Sequence, residues 1–250
     1  FIKSKSILKS RNKELSVIIL NFLKKLKIKS NNNKILKLIY FHDKFFFKQN
    51  NVTNNYGGIG YNNSLLIYVF CNHLNLDLIL ESGTWKGYST LLFDQYIKKI
   101  NKISFDIDFN NLEYKSKKTK YVNYDIENFN FEKFNNFSNT LAFFDDHTSQ
   151  YDRLVFAHKI KIKYLIFDDD FNYSAIHSDG WPSIPTISMI AENFKFKKFK
   201  WKSINKNASA NFGNKIFKNI LKNYTYIKSP IITNITGYYH QTPMAFLIKK

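Results

Sequence analysis

Two short stretches hold most of the side chains able to do chemistry. Leu141-Ala-Phe-Phe-Asp-Asp-His-Thr-Ser-Gln-Tyr151 sets Asp145, Asp146 and His147 behind an apolar run, and Tyr164-Leu-Ile-Phe-Asp-Asp-Asp-Phe171 sets Asp168, Asp169 and Asp170 behind another. Short apolar runs of this kind read as buried strands, so both sets of acids stand at strand ends. In a doubly wound sheet the two strands would be neighbours, with their C-terminal ends beside the switch crevice. So many carboxylates in one place repel each other unless protons, a base or a cation neutralise them. Magnesium takes carboxylate oxygens and keeps several of its waters, so two or three aspartates suffice to hold it. A site for Mg2+ or another divalent cation is the expectation. The competing reading is an acidic strand-end cluster capped by backbone N–H groups and lysines.

A third stretch, Leu78-Ile-Leu-Glu-Ser-Gly-Thr-Trp-Lys-Gly-Tyr-Ser-Thr90, runs from a buried strand through Gly83 and Gly87 into a segment of helical character. Glycines let the backbone come close to a ligand, and the first N–H groups of a helix face an anionic or zwitterionic group. The spacing is neither that of a dinucleotide fingerprint nor that of a P-loop. Asp106 follows at the end of the next strand, about 20 residues beyond the glycine turn, where an α/β nucleotide site binds ribose hydroxyls.

The elements that must position these groups alternate. Strands are expected at 76–81, 102–107, 121–124, 140–144 and 163–167, with helices at 88–99, 109–117 and 149–161 and an irregular or helical stretch at 127–138. Such alternation implies βαβ units and a largely parallel, doubly wound α/β sheet. A loop around Trp181, a candidate lid, leads to helices at 185–193 and 214–222. Residues 224–232 and 244–248 suit an antiparallel pair closing the sheet. Upstream, residues 1–60 form a basic helical extension to the domain 61–250. Its helices are expected at 1–30 and 34–47, followed by a loop, and a further helix at 64–74 has Ser64 as N-cap.

Taken together, these motifs resemble the metal-dependent O-methyltransferases of the class I S-adenosylmethionine (SAM) fold: the catechol and caffeoyl-CoA types and the sugar O-methyltransferases of macrolide tailoring. The resemblance covers roughly Leu76 to Phe171. Its first motif matches at Glu81, Gly83, Gly87, Tyr88 and Ser89, its ribose acid at Asp106, and its Phe-x-Asp at Phe143-Phe144-Asp145. It implies a Rossmann-like fold with an antiparallel C-terminal strand pair. It also implies SAM held by Glu81, Gly83, Thr84, Trp85, Gly87, Ser89, Asp106 and Asp125, the last facing the adenine edge. The metal falls to Asp145, Asp169 and Asp170, with a shift of the pair to Asp168-Asp169 left open. Catechol-type enzymes carry a lysine three residues after the first metal aspartate, and this chain has Thr148 there. His147 is then the nearest candidate base, an imidazole suited to proton abstraction near pH 7. The implied activity is methyl transfer to a hydroxyl of a small polar acceptor, a sugar being one candidate.

Composition bounds the remainder. The formal charge of +19 sits at the ends: residues 1–50 carry 13 Lys/Arg against 2 acids, residues 201–250 carry 8 Lys and no acid, and the middle is neutral. Basic ends suit nucleic acid or an anionic membrane surface, and Phe194-Lys-Phe-Lys-Lys-Phe-Lys-Trp201 interleaves aromatics with lysines as a base-stacking surface would. An RNA methyltransferase or RNA-binding protein is therefore an alternative, as is a metal-binding hydroxylase-like or inactive relative of the same fold. A solvated surface in a Lys-rich chain is the favoured reading of the charge, and a strand with alternating faces that of the aromatic stretch. One cysteine, Cys71, excludes an intrachain disulfide. No apolar run reaches the ~18 residues of a membrane span and no cleavage site follows Val17–Leu23, so a cytoplasmic enzyme is expected. The first residue is Phe rather than Met, which leaves room for residues upstream.

Overall fold

A computed structural model describes residues 5–46, 58–97, 100–134, 136–172, 183–192, 198–202, 207–211 and 218–250. Three helices come first: α1 (Lys5–Lys25), α2 (Asn32–Phe46) and α3 (Tyr61–Cys71). Then β1 (Leu78–Ser82), α4 (Tyr88–Tyr96), β2 (Asn101–Phe105), β3 (Thr119–Val122), β4 (Thr140–Phe144), α5 (Gln150–Lys159) and β5 (Tyr164–Phe167) build the parallel part of the sheet. Next come α6 (Ile187–Ala191), β6 (Lys198–Lys202), β7 (Asn207–Asn211), α7 (Lys218–Leu221), β8 (Tyr224–Lys228), α8 (Thr233–Thr236) and β9 (Ala245–Lys249).

The main sheet has the order β3-β2-β1-β4-β5-β9-β8, with β9 antiparallel to both β5 and β8. This is the doubly wound architecture expected, closed by the antiparallel pair. From β1 the chain winds outward to β2 and β3, then returns to β4 on the other side, which makes the C-terminal ends of β1 and β4 the switch point where ligands bind. β6 and β7 pair separately. The Phe194–Trp201 stretch enters β6 at Lys198, and residues 194–197 lie outside the described residues, as does the Trp181 loop. No helix among the described residues is long and apolar enough to cross a membrane.

Alternation along the central strands feeds two cores. Ile79, Leu141, Phe143, Ile166 and Phe246 face α1 to α4, while Leu80, Ala142, Phe144, Leu165 and Phe167 face the side of α5 and α6. The first helix belongs to the former core. Leu15, Ile19, Phe22, Leu23 and Leu26 recur at helical spacing and are all buried, and Phe22 meets Phe246 edge-on at 5.0 Å between centroids. Each such side chain contributes about 1.5–3 kcal/mol by burial. Cys71 is buried too.

Two local expectations are corrected. Residues 109–117 form turns rather than a helix. Aspartate side chains cap the backbone there (Asp108 N–H on Asp106, Asn110 N–H on Asp108), and the N–H groups of Glu113 and Tyr114 both donate to the Lys86 carbonyl in the glycine turn. Local side-chain acceptors of this kind compete with helical bonding. Helix α3 begins one turn earlier than expected, with Gly60 as N-cap, and Ser64 lies inside it, its hydroxyl donating to the Tyr61 carbonyl and pairing with His42 at 2.8 Å.

His42 is itself fully buried, and burial together with nearby Arg11 lowers its pKa from 6.5 to about 3. Between those values the unfolded chain binds a proton that the folded chain refuses, so stability falls as pH drops from 6.5 towards 3, by up to about 1.4 kcal/mol per pH unit. Urea unfolding at pH 7, 6 and 5 should show this slope in the native chain and a flatter one in His42→Gln. Equal slopes would remove His42 as the cause.

Candidate active site

Strand β1 ends in Glu81 and Ser82 and turns at Gly83, whose φ is +90°. A β-carbon on Gly83 would stand 2.2 Å from the Asp145 carbonyl oxygen. The close approach that demands glycine is therefore backbone to backbone: Asp145 N–H donates to Ser82 O at 2.8 Å, locking the exits of β1 and β4 together. Gly87, φ +81°, caps α4 and lies against the Tyr114 carbonyl, where a β-carbon would come within 2.4 Å.

Between these exits lies a cleft of about 610 Å³, lined by Ser82, Gly83, Trp85, Phe105, Asp106, Ile107, Tyr124, Asp125, the run Asp145 to Thr148, and Arg153. Its size falls within the range of small-molecule sites. Trp85, Ile107 and Tyr124 are large apolar side chains left exposed here. Asp106 accepts from the N–H groups of Thr84 (2.8 Å) and Trp85 (3.0 Å) through Oδ2 and from Asp108 N–H through Oδ1. A carboxylate has about four acceptor positions, so one remains for a ligand hydroxyl. Asp125 pairs through both oxygens with Arg153 at 2.8 and 2.6 Å, bonds that hold its pKa below the ordinary carboxylate value.

Of the residues expected to bind the cofactor, Glu81, Thr84, Gly87 and Ser89 stand behind the turn rather than on the cleft wall. Glu81 is buried on the α4 side, its Oε2 accepting from Thr90 (2.5 Å) and Ser104 (2.7 Å). Burial raises its pKa, restrained by the hydroxyls of Ser89, Thr90 and Ser104. Its Oε1 has no hydrogen-bond partner among the described residues. The cleft, with the open acceptor position on Asp106 in its wall, fits an amino-acid nucleoside such as SAM.

At the ends of β4 and β5, ligand atoms of Asp145, His147 and Asp169 lie within 4.8 Å of one another, with His147 Nδ1 3.7 Å from Asp169 Oδ2. Burial raises the pKa of Asp145 well above its ordinary value, and Asp168, Asp169 and Asp146 push it further. Two close carboxylates, one with a raised pKa, are a donor set that fits a divalent cation, with the His147 imidazole beside them.

Asp170, also expected to hold the metal, lies apart from this group. It is fully buried, its Oδ1 accepting from Ser188 N–H at 2.6 Å and its Oδ2 from the Ser188 hydroxyl (2.7 Å) and Tyr226 (3.1 Å); burial lifts its pKa to about 6. Asp168 accepts from Thr242, Asn63 and the N–H of Asp169. Of the three, Asp169 is the one whose carboxylate lies within 4.8 Å of both Asp145 and His147, while Asp168 and Asp169 both bear electrostatically on Asp145.

Of the five described non-glycine residues in left-handed backbone, Lys27 (φ +61°) and Lys161 (+65°) lie elsewhere, and three lie close together here: Trp85 (φ +47°), His147 (+53°) and Asp169 (+53°). Such conformations cost about 1–3 kcal/mol each and cluster at functional sites; here all three sit on the turns around the cleft and the acidic group.

Sequence reasoning missed Arg153. It is 2% exposed and bonds to Asp125, Glu127, Asp146 and Thr148 from α5. Its signal was rarity, for Arg11 and Arg153 are the two arginines among 38 basic residues.

No family model matches the chain, and no curated protein matches it. Solved structures do. A protein from Staphylococcus aureus assigned as a caffeoyl-CoA O-methyltransferase is 15% identical over 86% of this chain and 100% of its own, with a TM-score of 0.50. The O-methyltransferase TomG of Streptomyces achromogenes, involved in tomaymycin synthesis and solved with SAM, is 12% identical over 96% and 98% with a TM-score of 0.46. The Mg–SAM form of CmcI is 15% identical over 43% of this chain with a TM-score of 0.38, and there the chain spans about half (52%) of the matched protein's length. The likeness to the Staphylococcus aureus protein establishes the fold, that of the class I O-methyltransferases.

Proposed function

We propose that this chain, which has the class I methyltransferase fold, is a SAM-dependent O-methyltransferase that acts on a hydroxyl of a small polar acceptor, a sugar among the candidates, with a divalent cation such as Mg2+. The observation that carries the reading is a nucleoside-sized cleft at the switch point adjoining the Asp145, His147 and Asp169 group. SAM, when bound, supplies an electrophilic methyl on a sulfonium; a divalent cation, when bound, lowers the pKa of a hydroxyl.

The chain's own residues divide the remaining work. Asp106 offers its open acceptor position to ribose hydroxyls, and Asp125 faces the adenine edge beside Tyr124 and Ile107. Glu81 and Ser89, behind Gly83, favour the methionine ammonium. Asp145 and Asp169 would hold the cation. His147, half exposed, takes the acceptor's hydroxyl proton at Nε2 while Asp169 orients the Nδ1 side of the ring. Holding the acceptor oxygen in line with the methyl supplies much of the rate.

Calorimetric titration of SAM with and without Mg2+, followed by an assay against a panel of hydroxyl acceptors, tests the reading. SAM is expected to bind in the ~1 µM–1 mM range common to enzyme substrates, with methyl transfer abolished by EDTA and restored by Mg2+ or Mn2+. Absence of SAM binding would overturn the reading. Retention of bulk RNA at moderate salt would favour the nucleic-acid alternative instead.

A further inference from the structure

In a chain that uses lysine at nearly every cationic position, an arginine marks a place where the planar fork of the guanidinium does something a single ammonium cannot. Arg153 makes one bond for each of its five N–H groups. Nε donates to Asp146 Oδ2 at 2.8 Å. Nη1 donates to Asp125 Oδ1 at 2.8 Å and Glu127 Oε1 at 2.9 Å, and Nη2 to Asp125 Oδ2 at 2.6 Å and Thr148 Oγ1 at 3.3 Å. Asp125 and Glu127 lie on the loop leaving β3, and Asp146 and Thr148 on the loop leaving β4, so one side chain from α5 grips both loops that wall the cleft. Asp146 is also held by the Ser82 hydroxyl at 2.5 Å, which extends the grip to the end of β1.

We infer that Arg153 is a positioning residue that sets the nucleoside wall and the metal wall of the cleft at once. The inference rests on the methyltransferase reading above. On one side it fixes the carboxylate of Asp125; on the other it fixes Asp146 and Thr148, which flank Asp145 and His147 in the chain. Thr148 takes part through a hydroxyl that accepts from Arg153. An arginine stays protonated at any working pH, so the charge positions groups and does not move a proton.

Lysine at 153 keeps the charge but can bond with only three donors from one point. Arg153→Lys is therefore expected to weaken SAM and Mn2+ together, each by about 10–100-fold, the range for loss of a group that orients ligating side chains. Both constants are to be measured by calorimetry below the melting temperature of the variant. A purely structural role would lower the melting temperature and leave the affinities of the folded protein within threefold of native. That result would overturn the inference, and so would a loss confined to one ligand. If Arg153→Lys fails to fold, Thr148→Val, which removes a single bond, carries the same test: a parallel several-fold loss of both affinities supports the grip, and unchanged affinities overturn it. Native protein that binds no SAM would overturn the methyltransferase reading and this inference with it, whereas native binding beside an unchanged Arg153→Lys overturns this inference alone.

Discussion

A Gly83→Val variant is expected to lose SAM binding by at least ~100-fold and to melt well below the native chain. The first β-carbon already falls 2.2 Å from the Asp145 carbonyl oxygen and 2.8 Å from the Asp146 nitrogen, and neither is the movable end of a side chain. Relief requires the exits of β1 and β4 to part, which breaks the Asp145 N–H bond to Ser82 O. A β-branched residue at φ +90° adds a cost of at least ~1–2 kcal/mol. The cleft wall and the metal loop share this contact, so cation affinity should fall as well. Circular dichroism melts and calorimetry with SAM and Mn2+ provide the check. A variant with native melting temperature and native SAM affinity would show that the two strand ends do not depend on the glycine.

The second large effect is at Asp145, and it has two signs. Asp145→Asn should reduce Mn2+ or Mg2+ affinity by more than the ~10–100-fold that loss of a supporting group costs, and abolish methyl transfer while SAM affinity stays near native. Without a cation, the same substitution should stabilise the protein at neutral pH. Burial and the neighbouring Asp168, Asp169 and Asp146 raise the Asp145 pKa. Above the ordinary carboxylate range the folded state therefore keeps a proton that the unfolded state has released, and stability falls as pH rises. Asparagine carries no charge and escapes that penalty. In EDTA the variant should outlast the native chain in urea at pH 8, with the gap narrowing towards pH 4; in Mn2+ the order should reverse. A native chain more stable than the variant in EDTA at pH 8 would mean that the carboxylates are already neutralised by protein groups. Asp169→Asn should follow the metal half of this pattern.

The central strands β1, β4 and β5 were legible because each is a short apolar run ending in a carboxylate, and such runs have little choice but burial. The glycine turn and Asp106 were legible by spacing along the chain. What one-dimensional spacing lacks is direction. Among Asp168, Asp169 and Asp170 it could not tell which carboxylate joins Asp145 and His147, because each successive carboxylate around the left-handed turn at Asp169 meets a different set of partners. Arg153 was invisible as a site residue because its partners lie on two other loops, up to 28 residues away. The failure at 109–117 has a different cause. Asp106 and Asp108 just upstream cap the entering backbone, and the nearby Lys86 carbonyl offers two bonds that a helix would have had to forgo.

The position of β9 between β5 and β8 has a consequence for vectorial synthesis. Strand β8 leaves the ribosome before β9, yet it can reach the sheet only through β9, so it must wait for a later segment before gaining any partner in the sheet. Until then β5 presents an open edge of unpaired N–H and C=O groups beside a run of buried-type residues, the kind of edge that recruits other chains. Pairing Leu165 with Leu247 also closes a long loop, and long-range contacts of that sort form late. The nascent chain therefore passes through an interval in which its cofactor-side strands β1 to β4 can assemble while the β5 edge stays exposed, and chaperone demand should be concentrated in that interval.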